Sequence, residues 1–110
     1  MTFGKAVRAA RKGAGMTISE GARRLGVTKV YVSDVELGRR APFTRERIDQ
    51  IAEILDADPL ELYVLAVRSR GHVKFHTEEI TLKQNRLAAV LSYRWSELSD
   101  DDVTRLMGAL

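Results

Sequence analysis

Thr17-Ile-Ser-Glu-Gly-Ala-Arg-Arg-Leu-Gly26-Val-Thr28-Lys-Val-Tyr-Val-Ser-Asp-Val-Glu-Leu-Gly38 decides the fold. It reads as two short helices joined by a tight turn. Ala22 stands where two crossing helices touch, and Gly26 supplies the corner. Leu25, Val27, Val32 and Val35 fall on the inward side, while polar and basic residues fall on the outer one. This is the pattern of a helix-turn-helix, whose second helix is shaped to lie in the major groove of duplex DNA.

The signals that bound these helices are local. Thr17 and Thr28 are N-cap residues, and Glu20 completes a Thr-x-x-Glu pattern that predicts a reciprocal capping box. Gly26 can take the left-handed conformation that the turn requires, and Gly38 ends the second helix. Upstream, Phe3, Val7, Ala10 and Ala14 form the inward stripe of a helix over residues 2–13, broken by Gly13 and Gly15. Downstream, Arg39 to Pro42 form an exit loop. Phe43 precedes the N-cap Thr44, with Ile48 one turn inside, so the pair predicts a hydrophobic staple. Ile48, Ile51, Ala52 and Leu55 give the fourth helix its apolar face. Asp58-Pro59-Leu-Glu61 starts a fifth, in which Leu62, Leu65 and Ala66 close the core. One residue breaks the local rules. Gly21, inside a helix, costs roughly 1 kcal/mol relative to alanine, which predicts a neighbour packed close against its bare backbone.

Past Gly71 the character changes. His72-Val-Lys-Phe-His76 alternates and predicts a short strand over Val73–Phe75. Leu87, Leu91, Trp95 and Leu98 follow at helical spacing. Ser99 and three aspartates, which suit the positive end of a helix dipole, then open a last helix lined by Val103, Leu106, Met107 and Leu110. The expected fold class is all-α, with a five-helix domain over residues 1–70 and a mostly helical extension over 71–110 that holds one short strand. The apolar stripes of the extension are too many to leave in water. Leu87, Leu91, Trp95, Leu106 and Leu110 are therefore expected between two chains, with Val73–Phe75 strands pairing across the two-fold. Two other outcomes stay open: the extension holds a protein partner, or it folds back on its own domain and the chain is monomeric.

The 110 residues suffice for one compact domain with an appendage. The absence of cysteine excludes disulfides and thiolate zinc sites. No apolar run is long enough to span a membrane, and Met1 to Gly15 lack the apolar core of a signal peptide, so a cytoplasmic location is expected. The formal net charge of +3 hides an asymmetry. Residues 1–45 carry ten Lys/Arg against three Asp/Glu, and residues 46–110 carry eight against twelve. The basic half is the half that holds the helix-turn-helix, and a positive field there favours phosphate contact. His72 and His76 are spaced by four, but the segment between them reads as extended and no third ligand accompanies them, so no metal or other cofactor is expected. The acids Glu78, Glu79 and Asp100 to Asp102 have no nucleophile or phosphate-cradling loop to work with, so no enzymatic activity is expected.

From Phe3 to Ala66 the chain resembles the Xre/Cro-like, lambda-repressor-like family of prokaryotic and phage regulators. The resemblance is carried by Gly15-Met16-Thr17, Ala22, Leu25-Gly26-Val27, Val32-Ser33-Asp34-Val35-Glu36 and Gly38-Arg39-Arg40-Ala41-Pro42. It continues through Ile48-x-x-Ile51-Ala52-x-x-Leu55 and Asp58-Pro59-Leu60-Glu61-Leu62. It implies a five-helix fold and a transcriptional regulator, a repressor by preference, bound as a homodimer to a pseudo-palindromic operator in double-stranded DNA. Base contacts then fall to Lys29, Val30 and Asp34, with Ser33 beside them. Lysine can donate to guanine, valine can pack on a thymine methyl, and aspartate can accept from a cytosine amino group. Lys29 could instead contact a phosphate, and Asp34 could instead neutralise Arg39 or Arg40. Phosphate contacts fall to Thr28, Tyr31, Arg39, Arg40 and Arg45, with backbone N–H groups near Thr17 and Thr28. The resemblance also implies an ion pair between Arg11 and Glu36. Three positions depart from the family pattern: Ile18 stands where glutamine often reaches a phosphate, Gly21 replaces an apolar residue, and Val30 occupies a usually polar place. The alternative functions are the DNA-binding antitoxin of a toxin–antitoxin pair and a protein-interaction module without DNA contact.

Overall fold

The computed structural model describes residues 1–78 and 80–110; Glu79, of the acidic pair noted above, lies outside them. The chain order is α1 (Phe3–Gly13), α2 (Ile18–Leu25), α3 (Lys29–Glu36), α4 (Arg45–Leu55), α5 (Pro59–Arg70), α6 (Leu82–Arg94), a 3-10 turn at Trp95–Glu97, and α7 (Asp100–Ala109). No strand occurs among the described residues. The strand expected at Val73–Phe75 does not form, and both end side chains are exposed. Alternation over so few residues cannot hold an extended segment that has no neighbouring strand to take its backbone hydrogen bonds.

The chain divides into two compact units, Met1–Val73 and Lys74–Leu110. Within the first, every helix start uses a side-chain cap: Thr2, Thr17, Thr28, Thr44 and Asp58. The Thr17 hydroxyl accepts from Glu20 N at 3.1 Å. The expected reciprocal bond is missing, because the Glu20 carboxylate turns to Arg24 one turn along the same helix, at 3.4 Å. Capping boxes are closed instead in the second unit, by Thr81 with Gln84 and by Ser99 with Asp102. Gly26 takes a φ of 76°, and Val27 N donates back to Ala22 O at 3.0 Å, which turns the chain from α2 into α3.

The core of the first unit gathers Phe3, Val7, Met16, Leu25, Val35, Phe43, Ile48, Ile51, Ala52, Leu55, Leu62 and Ala66. Both halves of the staple, Phe43 and Ile48, are wholly buried. The ring of Phe43 meets Phe3 edge-on, with centroids 5.8 Å apart, and stacks on Tyr31 at 5.7 Å. Ala10 is half-buried and Ala14 is exposed at the C-cap, so the inward stripe of α1 is Phe3, Gly4, Val7 and Arg11. The close approach expected at Gly21 occurs at Gly4. A Cβ on Gly4 would collide with the carbonyl oxygens of Val35 and Glu36, whereas one on Gly21 would meet Arg11 Cδ at 3.7 Å and Met16 Sδ at 3.8 Å, ordinary contacts.

In the second unit α6 stops at Arg94, so Leu87, Leu91, Trp95 and Leu98 do not form one helical stripe: Trp95 opens the 3-10 turn and Leu98 follows it. Leu87, Trp95, Leu106 and Leu110 are exposed, and Leu91 and Leu98 are half-buried. Leu87, Val90, Leu91, Leu98 and Leu106 line an open groove within this unit. Among the described residues no helix is long and apolar enough to cross a membrane.

Candidate nucleic-acid interface

The helix α3 has two chemically distinct sides. Its N-terminus is capped by the Thr28 hydroxyl, which accepts from Tyr31 N at 3.1 Å. Val32, Val35 and Glu36 point inward and are buried. On the outer side Lys29 is exposed and Val30 is 68% exposed, while Ser33 and Asp34, one turn on, are half-buried. The four residues expected to meet bases thus form a raised first turn and a recessed second one. An apolar side chain as exposed as that of Val30 can pack against the methyl group of a thymine.

Glu36 fixes α3 against α1. Arg11 Nε and Nη2 donate to its two carboxylate oxygens at 2.8 Å and 2.9 Å, and Arg11 Nη1 donates to Met16 O at 2.8 Å. Both residues are only 7% exposed. The hydrogen bonding to Glu36 holds the Arg11 guanidinium above its ordinary value, and burial acts in the opposite direction without prevailing. This is the pair that the family resemblance implied.

Beyond Gly38 the chain is drawn back onto α3. Arg39 N and Arg40 N both donate to the Asp34 carbonyl, at 2.8 Å and 3.3 Å. It is this carbonyl that holds the loop. Among the described residues the Asp34 carboxylate forms no ion pair with Arg39 or Arg40. Both arginines are exposed, as are Thr17, Thr28 and Arg45, so the expected phosphate contacts lie at the surface; Tyr31 is half-buried. At its far end the loop is held by Arg70 of α5, whose Nη2 donates to Pro42 O at 2.9 Å and Phe43 O at 2.7 Å.

Four cations not singled out in the sequence join this surface. Lys5, Arg8 and Arg70 line an open groove together with Arg39 and Arg40. Arg47 lies over the Tyr31 ring, 5.1 Å from its centroid, and donates to the Tyr31 hydroxyl at 3.0 Å. A sequence signal existed for Arg47. It sits in the first turn of α4, where the helix dipole favours acids over cations. For Arg70 and Lys5 there was none, since their neighbours come from distant parts of the chain. His72 and His76 are exposed and outside any helix, and the described residues hold no cluster of three metal-ligating side chains.

Comparison with known proteins bears on the same segment. A family of helix-turn-helix domains matches residues 2–65. Among solved structures the chain is similar to SinR, the master regulator for biofilm formation, crystallised in complex with DNA. The identity is 26% and the TM-score 0.53, over 56% of this chain and 98% of that one. A complex of the SinR and SinI proteins aligns over 86% of this chain and 99% of that one, at 22% identity and a TM-score of 0.52, a likeness of fold alone. That coverage is more than Met1–Val73 can supply, so the likeness of fold extends into the second unit. No curated protein matches the chain.

Proposed function

The chain belongs to a helix-turn-helix domain family, and from that premise we propose that it is a transcriptional repressor that binds a pseudo-palindromic operator as a homodimer. In this reading residues 1–70 bind DNA, with α3 in the major groove, and residues 71–110 join two copies. The observation that carries it is the two-sidedness of α3: an inner face tied into the core by Val32, Val35 and the Arg11–Glu36 pair, and an outer first turn that presents Lys29 and Val30 to solvent. Lys29, Val30, Ser33 and Asp34 read bases. Thr17, Thr28, Tyr31, Arg39, Arg40 and Arg45 hold phosphates. DNA in the SinR complex supports this reading. Nothing in it calls for catalysis or a cofactor.

Two-fold pairing follows from the small reach of one helix, since half-sites about one helical turn apart, roughly 34 Å, need two linked copies. The exposed side chains of Leu87, Trp95, Leu106 and Leu110, with Leu91 beside them, supply an apolar surface for that contact. The existence of a SinR/SinI complex supports a second reading, in which the chain also holds a protein partner.

The test is binding to an operator selected from random duplexes. Lys29→Ala is expected to cost about 1–3 kcal/mol on the selected site and little on random DNA. Equal losses on both would remove α3 from base reading. The intact chain is expected to sediment as a dimer at micromolar concentration and a chain ending at Arg70 as a monomer. A monomeric intact chain, or an equally dimeric shorter one, would overturn the role given to residues 71–110.

A further inference from the structure

Tyr31 is built into the first unit in an unusual way. Its ring lies on Phe43, which is itself wholly buried and set edge-on against Phe3, so the core fixes the direction of the ring. Two guanidinium groups gather on this one ring, Arg40 at 5.3 Å and Arg47 at 5.1 Å from its centroid. Among the described residues no carboxylate pairs with either arginine. Two like charges are thus held near one another by cation–π attraction, with no acid between them.

The hydroxyl group completes the arrangement. Arg47 Nη1 donates to Tyr31 Oη at 3.0 Å. A guanidinium offers donors only, so the phenolic oxygen must be the acceptor and its own proton is left for another partner. No group among the described residues accepts that proton. A free O–H donor beside two cations without a counter-charge is the complement of an anion with several acceptor oxygens. The site lies on the first turn of α3, within two residues of Lys29 and Val30, where a duplex holding α3 in its major groove would bring its backbone.

We propose that Tyr31, Arg47 and Arg40 act as one coupled grip on a single DNA backbone phosphate. Arg47 aims the Tyr31 hydroxyl proton at a phosphate oxygen, and the two guanidiniums neutralise its charge. This deepens the DNA-binding reading and rests on it. It gives Arg47 a role and makes the contribution of Tyr31 depend on it. Because the grip touches no base, it sets the depth and register of α3 on every sequence alike.

The test is a cycle of variants in the full chain: Tyr31→Phe, Arg47→Met and both together. Each is measured on the selected operator and on a random duplex across a range of salt. Tyr31→Phe keeps the ring and its stacking but loses the bond from Arg47, so the fold should be kept with only a small drop in thermal stability. It is expected to weaken binding to both duplexes about tenfold, the loss of one hydrogen bond per chain, without altering the salt dependence. Arg47→Met is expected to weaken both, and the log–log salt slope is expected to flatten by about 0.9 per chain once Arg40→Met is added to Arg47→Met, as the one phosphate then loses both of its cations. Tyr31→Phe combined with Arg47→Met is expected to bind no worse than Arg47→Met. The grip is overturned if Tyr31→Phe binds like the parent chain, if the losses of Tyr31→Phe and Arg47→Met multiply, or if replacing both arginines leaves the salt slope intact. A parent chain that binds no duplex at all would overturn the DNA-binding reading beneath it, a result distinct from any of these.

Discussion

Arg11 of α1 and Glu36 of α3 meet in a two-pronged ion pair, at 2.8 Å and 2.9 Å, buried between the first helix and the proposed recognition helix. A third donor of the same guanidinium satisfies Met16 O at 2.8 Å. Glu36 is the last residue of α3, so the pair sets how that helix leaves the core. Glu36→Gln leaves a buried cation without its anion and is expected to destabilise the chain by about 3–5 kcal/mol in urea unfolding. Replacing both residues by methionine is expected to cost less, about 1–3 kcal/mol, which is the penalty of the Met16 carbonyl left without a donor. A double variant as unstable as Glu36→Gln would show that the charges are not the source of the loss.

Gly4 and Gly21 both lie inside helices, yet they should respond in opposite ways to alanine. At Gly4 the new methyl would meet the backbone oxygens of Val35 and Glu36, which cannot swing aside. Gly4→Ala is expected to lower stability by about 1–3 kcal/mol despite the better helix propensity of alanine. At Gly21 the methyl reaches only ordinary contact with Arg11 and Met16. Gly21→Ala is expected to raise stability by up to about 1 kcal/mol. Thermal unfolding of the two single variants decides it, and a stabilised Gly4→Ala would refute the close approach of α1 and α3.

Arg70 holds the loop that carries Arg39 and Arg40 through the carbonyls of Pro42 and Phe43. Arg70→Gln is expected to lower stability by about 1.5–3 kcal/mol, the value of hydrogen bonds from a charged donor. It should also weaken binding to operator and random duplex by a similar factor, because the role proposed for the loop is contact with phosphates. A loss confined to the operator would mean that Arg70 acts on base reading instead.

In the second unit, Asp102 is the acid of a closed capping box. Its carboxylate accepts from Ser99 N at 3.1 Å and from Arg105 Nη2 at 2.7 Å. The bond from the Ser99 backbone, then the Ser99 hydroxyl and Arg105, hold its carboxyl below the ordinary aspartate value of 3.8. Because the folded group binds its proton less readily than the unfolded one, its stabilising effect on α7 is fully present above 3.8 and fades as the pH falls through the lower folded value. An NMR titration is expected to place the Asp102 midpoint below 3.8, and Asp102→Asn is expected to reduce helicity at neutral pH. A midpoint at or above 3.8 would mean that the box is open in solution.

The sequence by itself determined what depends on neighbours within about one helical turn: the four caps Thr17, Thr28, Thr44 and Asp58, the left-handed corner at Gly26, the Phe43–Ile48 staple and the inward stripes of α2 to α5. These follow from hydrogen bonds between residues three or four apart and from the 3.6-residue period, both readable along the chain. Apart from the Arg11–Glu36 pair, which the family resemblance implied, the tertiary structure alone decided the contacts that join distant segments. The choice of Gly4 over Gly21 as the point of close approach depends on where α1 crosses α3. Arg70 reaches a loop 27 residues away and Arg47 reaches Tyr31 across 16, because the core brings α5 and α4 to those places. A long cationic side chain has several partners within reach of any given backbone position. Which one it takes is set by the crossing of the helices, and no local pattern encodes that.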